Sequence, residues 1–164
     1  MSKTQRAVMA FSHRELKELV RDFPYLKHLR EALSIKSGRR LRVYVASPYD
    51  TLLNEGHSMT VVKHEAVSAI NSAKARFGLK FDLFSPVLEF GGANISRDEA
   101  MKRCFSELIE CDFLYIGKTL YFWASLGIFA EYEFATTHGI CVVFESLEVK
   151  NEFLRAWGLY NEFI

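Results

Sequence analysis

The sequence predicts an α/β domain: a parallel sheet with helices on both faces. Three observations carry this reading. Four short segments are almost wholly apolar, at Leu41–Ala46, Phe81–Ser85, Asp112–Gly117 and Ile140–Phe144. Each is followed by a stretch with helical spacing, which gives a strict strand–helix alternation. The strands show continuous apolarity rather than an in–out alternation, as expected where both faces of a sheet are buried.

Before the first strand, residues 12–35 read as helix. Ser12 with Glu15 forms a capping box, and Leu16, Leu19, Phe23, Leu26, Leu29 and Leu33 recur at helical spacing. Pro24 is expected to break this run or to open a second helix. Ser37-Gly38-Arg39-Arg40 reads as a stop. After the first strand, Ser47-Pro48 ends the run, and a helix over about 57–77 closes at Gly78. The second strand also ends at a Ser-Pro pair. A loop from Glu89 to Ile95 carries Gly91-Gly92, and Ser96 with Glu99 opens a helix to about Glu110. The third strand leads through an aromatic-rich loop, 118–124, to a helix from Ser125 to His138. Gly139 stops it, the fourth strand follows, and a last helix runs from Ser146 to about Trp157. This order predicts a Rossmann- or flavodoxin-like three-layer sandwich with a parallel sheet of four to five strands, residues 41–164, preceded by a helical extension, residues 1–40.

The 164 residues, 49% of them apolar, suffice for one domain with a substantial core. Charge is uneven along the chain. Residues 1–42 hold eleven Lys/Arg and four Asp/Glu, and the remainder ten and sixteen, for a net +1. The basic arm reads as a solvated helix face or a subunit contact, and nucleic acid is not an expected partner. Cys104, Cys111 and Cys141 fit neither a zinc pattern nor a disulfide framework, so no metal is expected. No phosphate-binding glycine fingerprint appears, and no cofactor is expected. There is no apolar run of membrane-spanning length and no secretory leader pattern, so membrane is not expected and a reducing cytoplasm is the natural compartment.

In open α/β sheets, ligands bind beyond the carboxyl ends of the strands. Three segments converge there: Ser47-Pro48-Tyr49, Ser85 to Glu89, and the loop into Ser125. The most informative stretch is Trp123-Ala-Ser-Leu-Gly-Ile-Phe-Ala-Glu131. Ser125 can cap the helix, and Gly127 and Glu131, four residues apart, share one face. A glycine one turn before a carboxylate leaves room for something to approach it. The alternative reading is a capped helix with a surface glutamate. The position of Glu131 within two turns of a helix N-terminus is expected to favour its ionised form.

Val43-Tyr-Val-Ala-Ser-Pro-Tyr49, Ser85-Pro86, Cys111-Asp112, and Trp123 with Ser-x-Gly-x-x-x-Glu and Ala135 resemble the nucleoside 2-deoxyribosyltransferase-like superfamily. The superfamily includes the 2′-deoxynucleoside 5′-monophosphate N-glycosidases and small uncharacterised bacterial and phage relatives, and the resemblance covers roughly residues 41–144. It implies that Glu131 is a nucleophile toward C1′ of the sugar and that Tyr44 lies beside it. Ser125 takes a position that is aspartate in transferases of free nucleosides and a phosphate-contacting serine in monophosphate hydrolases. Ser47 and Tyr49 fall in the loop that shapes the sugar or phosphate end. Many relatives carry an aspartate about eight residues before the third strand, and here Cys104 stands at that offset, with Glu89 a candidate replacement. Asp112, which starts its strand, is expected at the opposite end from the crevice. Trp123 with its aromatic neighbours either walls the base or enters a subunit interface. Relatives are usually oligomers, so a homo-oligomer is implied, with a nucleotide or nucleoside as small-molecule partner. The function implied is cleavage or transfer at an N-glycosidic bond, with hydrolysis of the 5′-monophosphate slightly favoured. The alternatives are hydrolysis of an NAD-type N-glycoside and a binding protein that holds a nucleotide or signalling molecule without turnover.

Overall fold

The computed structural model describes residues 8–23, 27–38, 40–79 and 81–162. The chain divides into two compact units, residues 1–41 and 42–164.

In the first unit, α1 (His13–Asp22) and α2 (Lys27–Ser37) pack against each other. The expected capping box at the start of α1 is present: Glu15 N donates to Ser12 Oγ at 3.1 Å and Ser12 N to Glu15 Oε1 at 3.3 Å. Leu16 and Val20, one turn apart, are the buried face of α1, and Leu29, Ala32 and Leu33 are that of α2. The helix break expected at Pro24 lies outside the described residues.

The second unit holds the sheet. Its strands are β1 (Leu41–Ala46), β2 (Phe81–Phe84), β3 (Phe113–Ile116) and β4 (Cys141–Phe144), in the order β2-β1-β3-β4. All are parallel, as the apolar runs predict. Val43 to Ala46 register with Phe113 to Ile116, and those with Cys141 to Phe144. β3 is buried at every position and β1 at all but Arg42, whereas the edge strand β2 is only partly covered. The chain leaves β1 toward β2 and then crosses back to β3, so its connections diverge between β1 and β3. That divergence opens a crevice at the carboxyl ends of these two strands.

Two short helices escape the sequence reading: α3 (Asp50–Asn54) and α5 (Pro86–Phe90). Five residues are too few to show a period. The longer helices follow expectation: α4 (Met59–Phe77), α6 (Arg97–Leu108) and α7 (Leu126–Thr137). Ser96 caps α6 through the Glu99 amide at 3.2 Å, but Glu99 gives its carboxylate to Arg103 rather than back to the cap. The last helix, α8 (Leu147–Glu162), runs beyond the expected end at Trp157. Its extra turn is held by aromatic packing: the Trp157 and Tyr160 rings lie 5.7 and 5.1 Å from that of Phe129 on α7. Cys111 and Cys141 are both buried, as expected of small hydrophobes. Among the described residues no helix is long and apolar enough to cross a membrane.

Candidate functional site

A cavity of about 550 Å³ opens at the carboxyl ends of β1 and β3, within the range of small-molecule sites. Successive connections each contribute one wall, because in a parallel sheet every strand-to-helix turn faces the same edge. Ser47, Tyr49, Asp50, Thr51 and Asn54 come from the turn after β1 and from α3; Pro86, Val87 and Phe90 come from α5. The start of α6 supplies Ser96 and Arg97 and its next turns Ala100, Met101 and Cys104, while α7 supplies Ser125, Leu126, Gly127 and Glu131.

α7 buries Ile128, Phe129 and Ala135 in the core, and Glu131 is buried with them. Only 5% of Glu131 is exposed, and its Oε2 has no hydrogen-bond partner. Removing a carboxyl from water without such partners penalises its charged form. Burial accordingly pushes the Glu131 pKa up from 4.5 to about 8, with the nearby Tyr44 hydroxyl pulling in the opposite direction. The expectation that the helix N-terminus would keep Glu131 ionised is therefore overturned. Glu131 lies beyond the first turn of α7, where the dipole has faded, and desolvation dominates.

Tyr44 is fully buried in β1 behind the cavity wall. Its hydroxyl makes no hydrogen bond of ordinary geometry, yet it interacts electrostatically with Glu131 and Cys104. Burial first, and then those two neighbours, raise its pKa well above that of a free tyrosine. The Cys104 thiol is pushed up to about 11, by burial first and then by the Glu131 charge, so at neutral pH it is a weak neutral donor. The position where the resemblance expects an acid thus lies on the wall beside Glu131 but carries no charge.

Ser125 is the N-cap of α7, its Oγ accepting from Ile128 N at 3.3 Å. Ser47 is 5% exposed and its Oγ has no partner. Tyr49 accepts from Gly92 N at 3.3 Å, which ties the β1 turn to the loop after α5. A Cβ on Gly127 would lie 3.9 Å from Glu131 Oε1 and 3.8 Å from Ser125 Oγ. Gly127 is therefore not forced by a clash; it leaves the space over the carboxylate open. Gly91 is forced, because a Cβ there would meet the Val87 carbonyl oxygen at 2.2 Å.

The loop that delivers Ser125 is clamped from two sides. Glu145 Oε2 accepts from Lys118 N at 2.7 Å, and Glu65 Oε2 from Leu120 N at 3.1 Å. Glu145 also accepts from Ser72 Oγ at 2.7 Å. A 3₁₀ turn, Phe122–Ala124, then buries Phe122 and leads into the cap.

The structure thus brings Ser47, Tyr49, Ser125, Gly127 and Glu131 to one cavity, with Tyr44 immediately behind. Glu89 and Trp123 lie outside it. On α5, Pro86, Val87 and Phe90 share one side of the helix, and Leu88 and Glu89 the other, where they line a separate groove with residues of α4 and β2. Glu89 is exposed there, so it does not stand in for the acid missing at Cys104. Trp123 is 37% exposed and packs on Tyr121 and Phe122, and the apolar wall is made by α5 and α6 instead. Asp112 sits at the opposite edge, as expected, and its Oδ2 accepts from Arg42 N at 2.9 Å. Sequence reasoning missed Asp50 and Arg97, which form an ion pair and both line the cavity. The available signal was their place at helix starts after β1 and β2. Among the described residues, no His/Cys/Asp/Glu group is arranged to hold a metal ion.

Comparison with protein-family models, curated proteins and solved structures gave no match.

Proposed function

We propose that this chain cleaves or exchanges the N-glycosidic bond of a 2′-deoxynucleotide or nucleoside, with Glu131 as the nucleophile. The observation that carries the reading is the Glu131 carboxyl itself: buried, unpartnered at Oε2, and on the wall of a nucleotide-sized cavity with Gly127 beside it. A structural glutamate in such a place would be paired. A carboxyl with one oxygen unpartnered and open space before it suits a reacting partner.

The ionised carboxylate attacks C1′, the C1′–N bond breaks, and its electron pair leaves with the base, which takes up a proton. The resulting glycosyl ester is hydrolysed by water, or a second base attacks it and receives the sugar. The site has two features that favour a 5′-monophosphate over a free nucleoside: the unpartnered Ser47 Oγ, and the α7 N-terminus capped by Ser125. With a Glu131 pKa of about 8, the nucleophilic form is the minor one at neutral pH, and kcat/KM rises with pH through that value. A general acid at the same position would show the opposite slope.

The second reading, a pocket that holds a nucleotide without turnover, is favoured by the neutral thiol of Cys104 where a second acid is expected. One assay separates the two. The protein is incubated with deoxynucleotides, deoxynucleosides and NAD, and free base is measured by chromatography. Base release by hydrolysis supports the enzyme, release only on addition of an acceptor base supports a transferase, and ligand-induced stabilisation without release supports the binding protein. A homo-oligomer working in the cytoplasm belongs to the same proposal.

A further inference from the structure

The cavity receives two helix N-termini, those of α6 at Ser96-Arg97 and of α7 at Ser125-Leu126, and the amide dipoles at such termini favour an anion. The side chain of Arg97, at the first position of α6, pairs with Asp50 at the first position of α3, and both are about half exposed. The pair therefore joins two walls of the cavity. An ion pair this exposed is a weak interaction that a better partner can displace. An independent observation points to a ligand: Ser47 Oγ, on the same cavity wall, is more than nine-tenths buried and has no hydrogen-bond partner.

We propose that Arg97 is the seat for the anionic end of the ligand and that Asp50 holds it in reserve, so the site selects phosphate monoesters over uncharged nucleosides. This rests on the function proposed above for the identity of the ligand, but not for the anion seat itself. A phosphate offers the guanidinium two oxygens in a planar fork and offers the α6 amides a dianion, and it gains from both what Asp50 gives up. A nucleoside has nothing to exchange for Asp50 and leaves the pair closed. Once displaced, Asp50 is a like charge beside the phosphate, so its carboxylate lowers affinity for anions while leaving nucleosides untouched.

The test is calorimetric titration in a Glu131→Gln background, which removes turnover. The probes are a deoxynucleoside 5′-monophosphate, the matching deoxynucleoside, and inorganic phosphate. Arg97→Gln is expected to weaken monophosphate binding roughly 10- to 100-fold and nucleoside binding by less than about twofold. Arg97→Lys restores part of the loss, and Asp50→Asn tightens monophosphate and phosphate binding by roughly 3- to 10-fold. Equal monophosphate affinity with and without Arg97, or equal losses for nucleoside and monophosphate, overturns the proposal while leaving the N-glycosidase reading in place. Phosphate binding that depends on Arg97, with neither nucleoside nor nucleotide bound, upholds the anion seat and removes the nucleotide reading.

Discussion

Replacing Glu131 by glutamine should change how stability depends on pH, and the size of the change follows from its burial. In the unfolded chain this carboxyl titrates near 4.5, and in the fold near 8. Because the folded value is the higher one, the native state binds more protons than the unfolded state across that window. Stability is therefore fully present below about 4.5 and is lost as pH rises toward and through about 8. At about 1.4 kcal/mol per pH unit the full window is worth at most about 5 kcal/mol, and the part between pH 6 and 8 about 2 kcal/mol. For a domain of this size, about 2 kcal/mol corresponds to roughly 4–8 °C in Tm. Glutamine has the same shape and no charge to lose, so its stability lacks this slope. The assay is urea unfolding of both proteins at half-unit steps from pH 5 to 9 at constant ionic strength, and subtracting the two curves cancels every other titrating group. A difference that grows by about 2 kcal/mol in favour of Glu131→Gln between pH 6 and 8 is expected. Parallel curves would mean that Glu131 is already ionised in the fold at pH 6, and the account of its burial would be wrong.

Tyr44→Phe removes a buried hydroxyl that makes no ordinary hydrogen bond and that lowers the Glu131 pKa. Stability at pH 6 should change by less than about 1 kcal/mol, since no paired partner is orphaned, while the alkaline midpoint of the Glu131 titration moves upward, as read from the same unfolding series. Gly127→Ala should fold and retain ligand binding, because its Cβ would make only ordinary contacts at 3.8 and 3.9 Å. Gly127→Leu should fold as well and lose binding of deoxynucleotides in thermal-shift titrations, and undiminished binding would show that ligands do not approach over Gly127. Gly91→Ala places a methyl 2.2 Å from the Val87 carbonyl oxygen and should cost about 1–3 kcal/mol in urea unfolding.

The parts of the fold that were legible in the sequence are those with a long period or a continuous apolar run. β1 and β3 declared themselves because both their faces are buried, α6 and α7 because a serine cap opens each, and α4 because Gly78 closes it. α3 and α5 did not, because a five-residue helix has no period to read, and with them went Asp50 and the side of α5 that faces the cavity. The far end of α8 is set by rings packing on Phe129, a contact that depends on tertiary structure rather than on local spacing. At the site, the sequence led to Glu131, Ser125, Gly127, Ser47 and Tyr49, since the carboxyl ends of parallel strands point one way. It erred on the charge of Glu131 because protonation depends on how completely the surrounding residues exclude water, which spacing along one helix does not record.

The most direct test of the central claim is free-base release from deoxynucleoside 5′-monophosphates by the intact protein and by Glu131→Gln, measured between pH 6 and 9. The account predicts release by the intact protein that increases as pH rises through about 8, and none above background from Glu131→Gln. Release by Glu131→Gln equal to that of the intact protein would contradict it.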